Sequence, residues 1–225
     1  MKKIAETAVI HDDVKIGRNV IIHDYVVIYP NSVIEDGVEI YDHCVIGKEP
    51  KAPGCTARKI EKIVEPTVIG KNTILSPFCC VYSGTTIKNN CLLGDYASIR
   101  EHCEIGEYTI ISRNVSVNYN TVIGSHTKIM DNSHITGNMK IGNNVFISVL
   151  VATTNDNSMG REGYTEKVNG PTIEDNVTIG AAASILPNVV VGKNSIVGSG
   201  AVVTKDVEPN KVVMGIPARV IRDVE

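Results

Sequence analysis

Asn155 and Asp156 stand side by side in the polar stretch Thr153-Thr154-Asn155-Asp156-Asn157-Ser158, and His134 lies 22 residues before the carboxylate. A carboxylate can take a proton or hold an ammonium, an amide can orient hydroxyls and amines, and an imidazole titrates near neutrality. Together they have the parts needed to move a proton during attack by a nucleophile. Asn132, two residues before His134, adds a second amide. Cysteine chemistry has less support. The six cysteines contain no CxxC, and Cys79 and Cys80 are adjacent. Cys44, Cys79, Cys91 and Cys103 fall where a local rhythm asks for a small apolar side chain. Cys55 alone lies off that rhythm, and no metal site is expected.

That rhythm is what must position the polar residues. Ile recurs every six residues at positions 4, 10, 16, 22, 28, 34, 40 and 46. The beat resumes from Ile69 to Ile147 and again from Ile173 to Val203, giving 28 hexads in runs of 8, 14 and 6. A period of six fits neither a single helix nor an alternating strand, and marks a repeat architecture. Three hexads make one 18-residue turn of a triangular prism, with Ile or Val inward and a small residue four places later at the corner. The fourth hexad position is often Asn or Gly (Asn19, Asn72, Asn120 and Gly200, for example), as suits a corner needing positive φ. The spacing predicts an all-β parallel β-helix of about nine coils, ~45 Å tall at the usual inter-strand spacing. Residues 1–208 form this domain, with extruded loops at 47–68 and 153–172, and residues 209–225 are a C-terminal tail.

Moving up one coil adds 18 residues, so His134 is expected beneath Ala152 and Gly137 beneath Asn155. His134 then borders the corner where Asn155 and Asp156 leave the ladder. The other interruption, GKEPKAPGCTARKIEKIVEPT, holds three prolines and several Lys and Arg. It reads as an extruded loop, serving either as a lid or basic patch near a phosphate-bearing ligand, or as an insertion against a neighbouring subunit. A net charge of −3 gives no reason to expect nucleic acid or an anionic membrane as partner. No apolar run reaches spanning length, and the first residues lack the apolar stretch of a signal peptide. A cytoplasmic protein is expected.

The segments Ile16-Gly17-Arg18-Asn19-Val20, Ile123-Gly124-Ser125-His126-Thr127 and Ile179-Gly180-Ala181-Ala182-Ala183 resemble the repeats of hexapeptide-repeat acyltransferases. The resemblance spans nearly the whole chain and implies a left-handed β-helix, a homotrimer, and active sites between neighbouring prisms. Thr154-Asn155-Asp156-Asn157 resembles the active-site segment of the nucleotide-sugar amine N-acyltransferases in that family. Asn132 matches an Asn those enzymes place near the thioester, although Asn is also the ordinary turn residue there. Asn155 and Asp156 would hold the amine and an adjacent hydroxyl. The stretch Ser133-His134-Ile135-Thr136-Gly137-Asn138 matches one that in lipid A acyltransferases carries two His. The second, the family's base, is Gly137 here. A hydroxyl nucleophile needs that base far more than an amine does, so its loss points to an amine acceptor. His102 and His126 are read as turn residues.

Towards the C-terminus, Asn194 to Val207 and Gly215-Ile216-Pro217-Ala218-Arg219 resemble the coenzyme A end of the family. By that resemblance Gly180, Ala181, Ala182, Gly198 and Ser199 would let pantetheine lie along the wall. A main-chain N–H near Gly180 or Ala181 would meet the thioester oxygen, and Lys205 and Arg219 would meet the coenzyme phosphates. The expected reaction is acetyl-CoA-dependent N-acetylation of a nucleotide-linked amino sugar, such as a dTDP- or UDP-linked 3-amino-dideoxyhexose, without a metal. Three alternatives stay open. They are a sugar O-acetyltransferase, a γ-class carbonic-anhydrase-like zinc protein, and a binding repeat with no catalytic role. The zinc reading needs His pairs five residues apart, which His11, His23, His43, His102, His126 and His134 do not supply.

Overall fold

The structure, a computed structural model, describes residues 3–54, 60, 62–161 and 168–225. Cys55 and the middle of both interrupting segments lie outside the described residues. Short parallel strands, mostly of two residues, stack into three sheets that form the faces of a left-handed prism. Face one begins with Lys3–Ile4, face two with Val9–Ile10 and face three with Lys15–Ile16. Each strand pairs with the next coil's strand on the same face, as in Lys3↔Ile21 and Val122↔Lys140.

The hexad rule holds in the details. The inward Ile, Leu and Val from Ile22 onward are buried, most with no exposed surface. All fifteen Asn and Gly positions at hexad position four have positive φ, from Asn19 at 57° to Gly200 at 67°. His102 and His126 share that conformation at 56° and 58°, as expected of turn residues. Cys44, Cys79, Cys91 and Cys103 are buried at the corner position. Their thiols donate to carbonyls on the following coil, Cys79 Sγ to Gly94 O at 3.1 Å and Cys103 Sγ to Asn118 O at 3.1 Å. Threonines in the equivalent place make the same bond, Thr85 Oγ1 to Arg100 O at 2.7 Å and Thr121 Oγ1 to Thr136 O at 3.0 Å. Cysteine is here a small hydrophobe with a weak donor.

Two features depart from the expected layout. A further hexad follows Ile147: Ala152–Thr153 is a strand on face two, with Thr153 buried at the inward position. The hydroxyl hid it from a pattern built on Ile and Val. With this strand, face one carries ten coil strands before the tail, so the prism is a coil taller than the nine expected. The tail then extends face one, since Lys211–Met214 pairs in parallel with Ile196–Val197 and turns back into the antiparallel strand Arg219–Asp223. Both interruptions leave from the same corner. Val45–Lys48 and Ala152–Thr153 end on face two, and Thr67–Ile69 and Thr172–Ile173 resume on face three. That edge between faces two and three is where side chains can gather beyond the prism wall.

Candidate functional site

His134 projects from face two, and its partner in register is Ala152, as the 18-residue step requires. Ser116 lies one coil below, with Oγ 2.7 Å from His134 Nδ1. The ring keeps an exposed edge, yet its surroundings remove enough water to hold its pKa below the ordinary histidine value. It is therefore neutral at neutral pH. If Ser116 donates, Nε2 carries the proton and can only donate. If Nδ1–H donates to Ser116 Oγ, the lone pair of Nε2 faces outward as a base. Thr153 holds the His134 backbone from the next coil, its Oγ1 donating to His134 O at 3.0 Å and accepting from Thr136 N at 2.9 Å. The hydroxyl in the hydrophobic stack thus has both its bonds and fixes the strand that carries the imidazole.

Gly137 follows at the corner. A Cβ there would come within 2.7 Å of Tyr119 Cζ and 2.8 Å of Cε2, so the tyrosine ring lies where a side chain at 137 would begin. The absent histidine is therefore a filled position. The Gly137 carbonyl accepts from Asn155 Nδ2 at 3.4 Å, which places Asn155 above it as the coil geometry predicts. Asn138 Nδ2 donates to Val168 O at 2.7 Å, so the returning end of the loop is tied to the same corner.

Asp156 is half-buried and turned into its own loop. One carboxylate oxygen accepts from Ser158 N and Ser158 Oγ, each at 2.7 Å, and the other from Gly160 N at 2.9 Å. The Ser158 hydroxyl, then the Ser158 N–H, hold its pKa below the usual carboxylate value. The Met159 N–H also contributes, so the carboxylate is engaged by its own loop from several sides. Asn132 is an exposed turn residue at φ 60°, with its N–H on Arg113 O at 2.9 Å. It stands at the corner between faces one and two, in the same column as Leu150, Ala182 and Gly200.

That column carries the expected coenzyme wall. Gly180 N–H is committed to the ladder, on Val197 O at 2.8 Å, while Ala181 N–H donates to none of the described residues. Ala181 N–H is thus an uncommitted donor among the described residues. Gly180 packs so close to the next coil that a Cβ would lie 2.5 Å from Ser199 N. Gly198 differs, because Met214 of the tail lies over it, its Cγ 2.6 Å from where a Cβ would be. Lys205 and Arg219 are both exposed, and Arg219 Nη1 donates to Ala218 O at 2.8 Å. Face two therefore has His134 on it, the Ala181 corner on one side and the loop corner on the other. Among the described residues no three His, Cys, Asp or Glu are grouped to hold a metal ion.

Sequence reasoning missed four residues here. Ser116 and Tyr119 lie 18 residues before His134 and Gly137, so the same step that linked coils would have found them. Thr153 was hidden by its hydroxyl. Leu150, exposed and at φ 60°, occupies a corner that normally takes Asn or Gly, and only the backbone shows it.

The model of the family "Bacterial transferase hexapeptide (six repeats)" matches residues 13–48, 84–118 and 170–205. With the prism and its ladder, that match supports the reading of the chain as a hexapeptide-repeat acyltransferase. Galactoside O-acetyltransferase of Escherichia coli is 51% identical over 53 residues, covering 24% of this chain and 26% of the relative. Serine acetyltransferase of Buchnera aphidicola is 40% identical over 82 residues, covering 36% of this chain and 29% of the relative. The chain thus spans under a third of the length of these relatives. Among solved structures, the Arabidopsis UDP-N-acetylglucosamine acyltransferase aligns with 98% of this chain and 74% of its own, at TM-score 0.57 and 20% identity. The Francisella novicida enzyme of the same name aligns with 98% and 70%, at TM-score 0.52 and 21% identity. At such identities the likeness is one of fold.

Proposed function

We propose that this protein transfers an acyl group, acetyl in the simplest case, from a coenzyme A thioester to the amine of a nucleotide-linked amino sugar. The observation that carries the reading is Tyr119 over Gly137. It fills the place where a second histidine would activate a hydroxyl and leaves one imidazole, His134. A neutral amine can attack the thioester carbonyl before it loses its proton to a base, whereas a hydroxyl needs a base during attack.

In this reading the sugar lies on face two beside His134, under the corner held by Asn155. The amine nitrogen forms the new C–N bond, and the carbonyl oxygen becomes an oxyanion facing Ala181 N–H. Removing such a donor costs ~3 kcal/mol of transition-state stabilisation. The proton on nitrogen passes to His134 Nε2, the C–S bond breaks, and the thiolate takes a proton from the imidazolium. The product is a neutral amide. Asp156, bonded to Ser158, Met159 and Gly160, is chiefly the residue that shapes the loop. Lys205 and Arg219 would receive the coenzyme phosphates, and the working unit would be a cytoplasmic homotrimer, with sites between neighbouring prisms.

Transfer to a hydroxyl is the second reading. It is supported by the intact His134–Ser116 pair, 2.7 Å apart, and by the galactoside O-acetyltransferase among the relatives. Free-thiol release from acetyl-CoA, measured with dTDP- and UDP-linked 3-amino and 4-amino sugars beside their hydroxyl counterparts, separates the two. Release confined to the amino sugars is expected. Release with the hydroxyl sugars alone would replace the proposal with the second reading.

A further inference from the structure

The first interruption covers a cavity of about 640 Å³ on the corner between faces two and three, reached from outside and remote from His134. Ser83 lines it. The hydroxyl is buried and has no hydrogen-bond partner among the described residues. A buried hydroxyl left unpaired is destabilising, so a ligand that bonds it would offset that cost. Around it the side chains are of three kinds. Tyr82 offers a ring, with Lys48 Nζ 5.4 Å and Arg100 Cζ 5.1 Å from its centroid. Lys48, at the end of its strand, and Lys51, in the segment that follows, bring two cations, and Arg100 brings one held by the buried Glu101 at 2.8 Å. Glu49 and Glu65 bring acceptors.

We infer that this cavity binds a nucleoside diphosphate, the nucleotide end of the proposed acceptor. A planar base that takes the place of Lys48 over Tyr82, hydroxyls towards the carboxylates and phosphates against Lys48 and Lys51 use all three kinds of group, and Ser83 Oγ gains a partner. Neither a free phosphate nor an apolar ligand would do so. The position fits as well. The Tyr82 and His134 strands share face two with two strands between them, a climb of ~14 Å at the usual inter-strand spacing. Ser98 and Ser116 project from the intervening strands, beside the column in which Arg100 and Asn118 follow Tyr82. A nucleotide seated below would therefore extend its sugar upward to the imidazole. The inference rests on the proposed reaction only in placing that sugar.

Calorimetric titration of the whole protein with UDP, dTDP, uridine and inorganic pyrophosphate, with no acyl donor present, tests the cavity apart from the chemistry. UDP or dTDP should bind, and both uridine and pyrophosphate should bind at least tenfold more weakly. The double variant Lys48→Ala, Lys51→Ala should weaken the diphosphate at least tenfold. Ser83→Ala should weaken it several-fold without lowering the melting temperature, because its hydroxyl has no partner among the described residues. His134→Gln should leave diphosphate binding unchanged. Absence of binding, affinity unaffected by the lysine substitutions, or pyrophosphate binding as tightly as UDP would each overturn the inference. Tight UDP binding without transfer to any amino sugar would keep the cavity's role and remove the proposed reaction. Transfer without diphosphate binding would do the reverse.

Discussion

His134 and Asp156 are both shifted from their ordinary pKa values, and the causes predict different behaviour. Burial lowers the His134 pKa, so the folded protein binds that proton less readily than the unfolded chain. Its contribution to stability is flat above the unfolded value of about 6.5 and declines as pH falls below it. Melting temperatures of wild type and His134→Gln should converge on acidification as that penalty grows in the wild type alone; parallel curves would mean the ring is well solvated. In kinetics the two residues should separate. His134→Gln should lower kcat by 10²- to 10⁴-fold, the usual worth of a positioned proton acceptor. Asp156→Asn should act mainly through KM, because the carboxylate is occupied with Ser158 and Gly160. A loss confined to kcat in Asp156→Asn would return that residue to direct work on the amine.

At the scale of the strand and corner, Thr153 and Gly137 carry the argument. Thr153→Val keeps the volume but strands the Thr136 N–H, which donates to the hydroxyl at 2.9 Å. The expected loss is about 1–3 kcal/mol, read as a lower midpoint in urea with an unchanged slope. Gly137→His forces a side chain into Tyr119 and should cost about 1–3 kcal/mol as overpacking. Adding Tyr119→Ala should recover part of that loss. If it recovers nothing, the two positions are not coupled as described. The scaffold at this scale was legible because one inward Ile and one αL corner recur with a fixed period. The exceptions were legible only in part. His134 and Asn155 could be placed by counting 18 residues, and they lie where counting puts them. That Asp156 turns into its own loop depends on Ser158 and Gly160 backbone geometry, which no period encodes. Thr153 was lost because a satisfied hydroxyl can stand in for isoleucine.

Across the whole molecule, the prism sets distances that its residues then use. Both interruptions leave from one corner, five strands apart on face two, and both bring polar side chains over the same face. The column of Asn132, Leu150, Ala182 and Gly200, where the proposal puts the coenzyme, follows the opposite corner of that face. In the proposed reaction an elongated acceptor and a coenzyme thioester would meet at His134, with nitrogen as the nucleophile because Tyr119 fills the second histidine's place. The measurement that tests this most directly is thiol release from acetyl-CoA with a UDP- or dTDP-linked amino sugar, set against the same sugar bearing hydroxyl in place of amine, with the product identified by mass. The account predicts thiol and amide in equal amounts from the amino sugar and no release above background from the hydroxyl sugar. An ester formed from the hydroxyl sugar at equal or greater rate would contradict it.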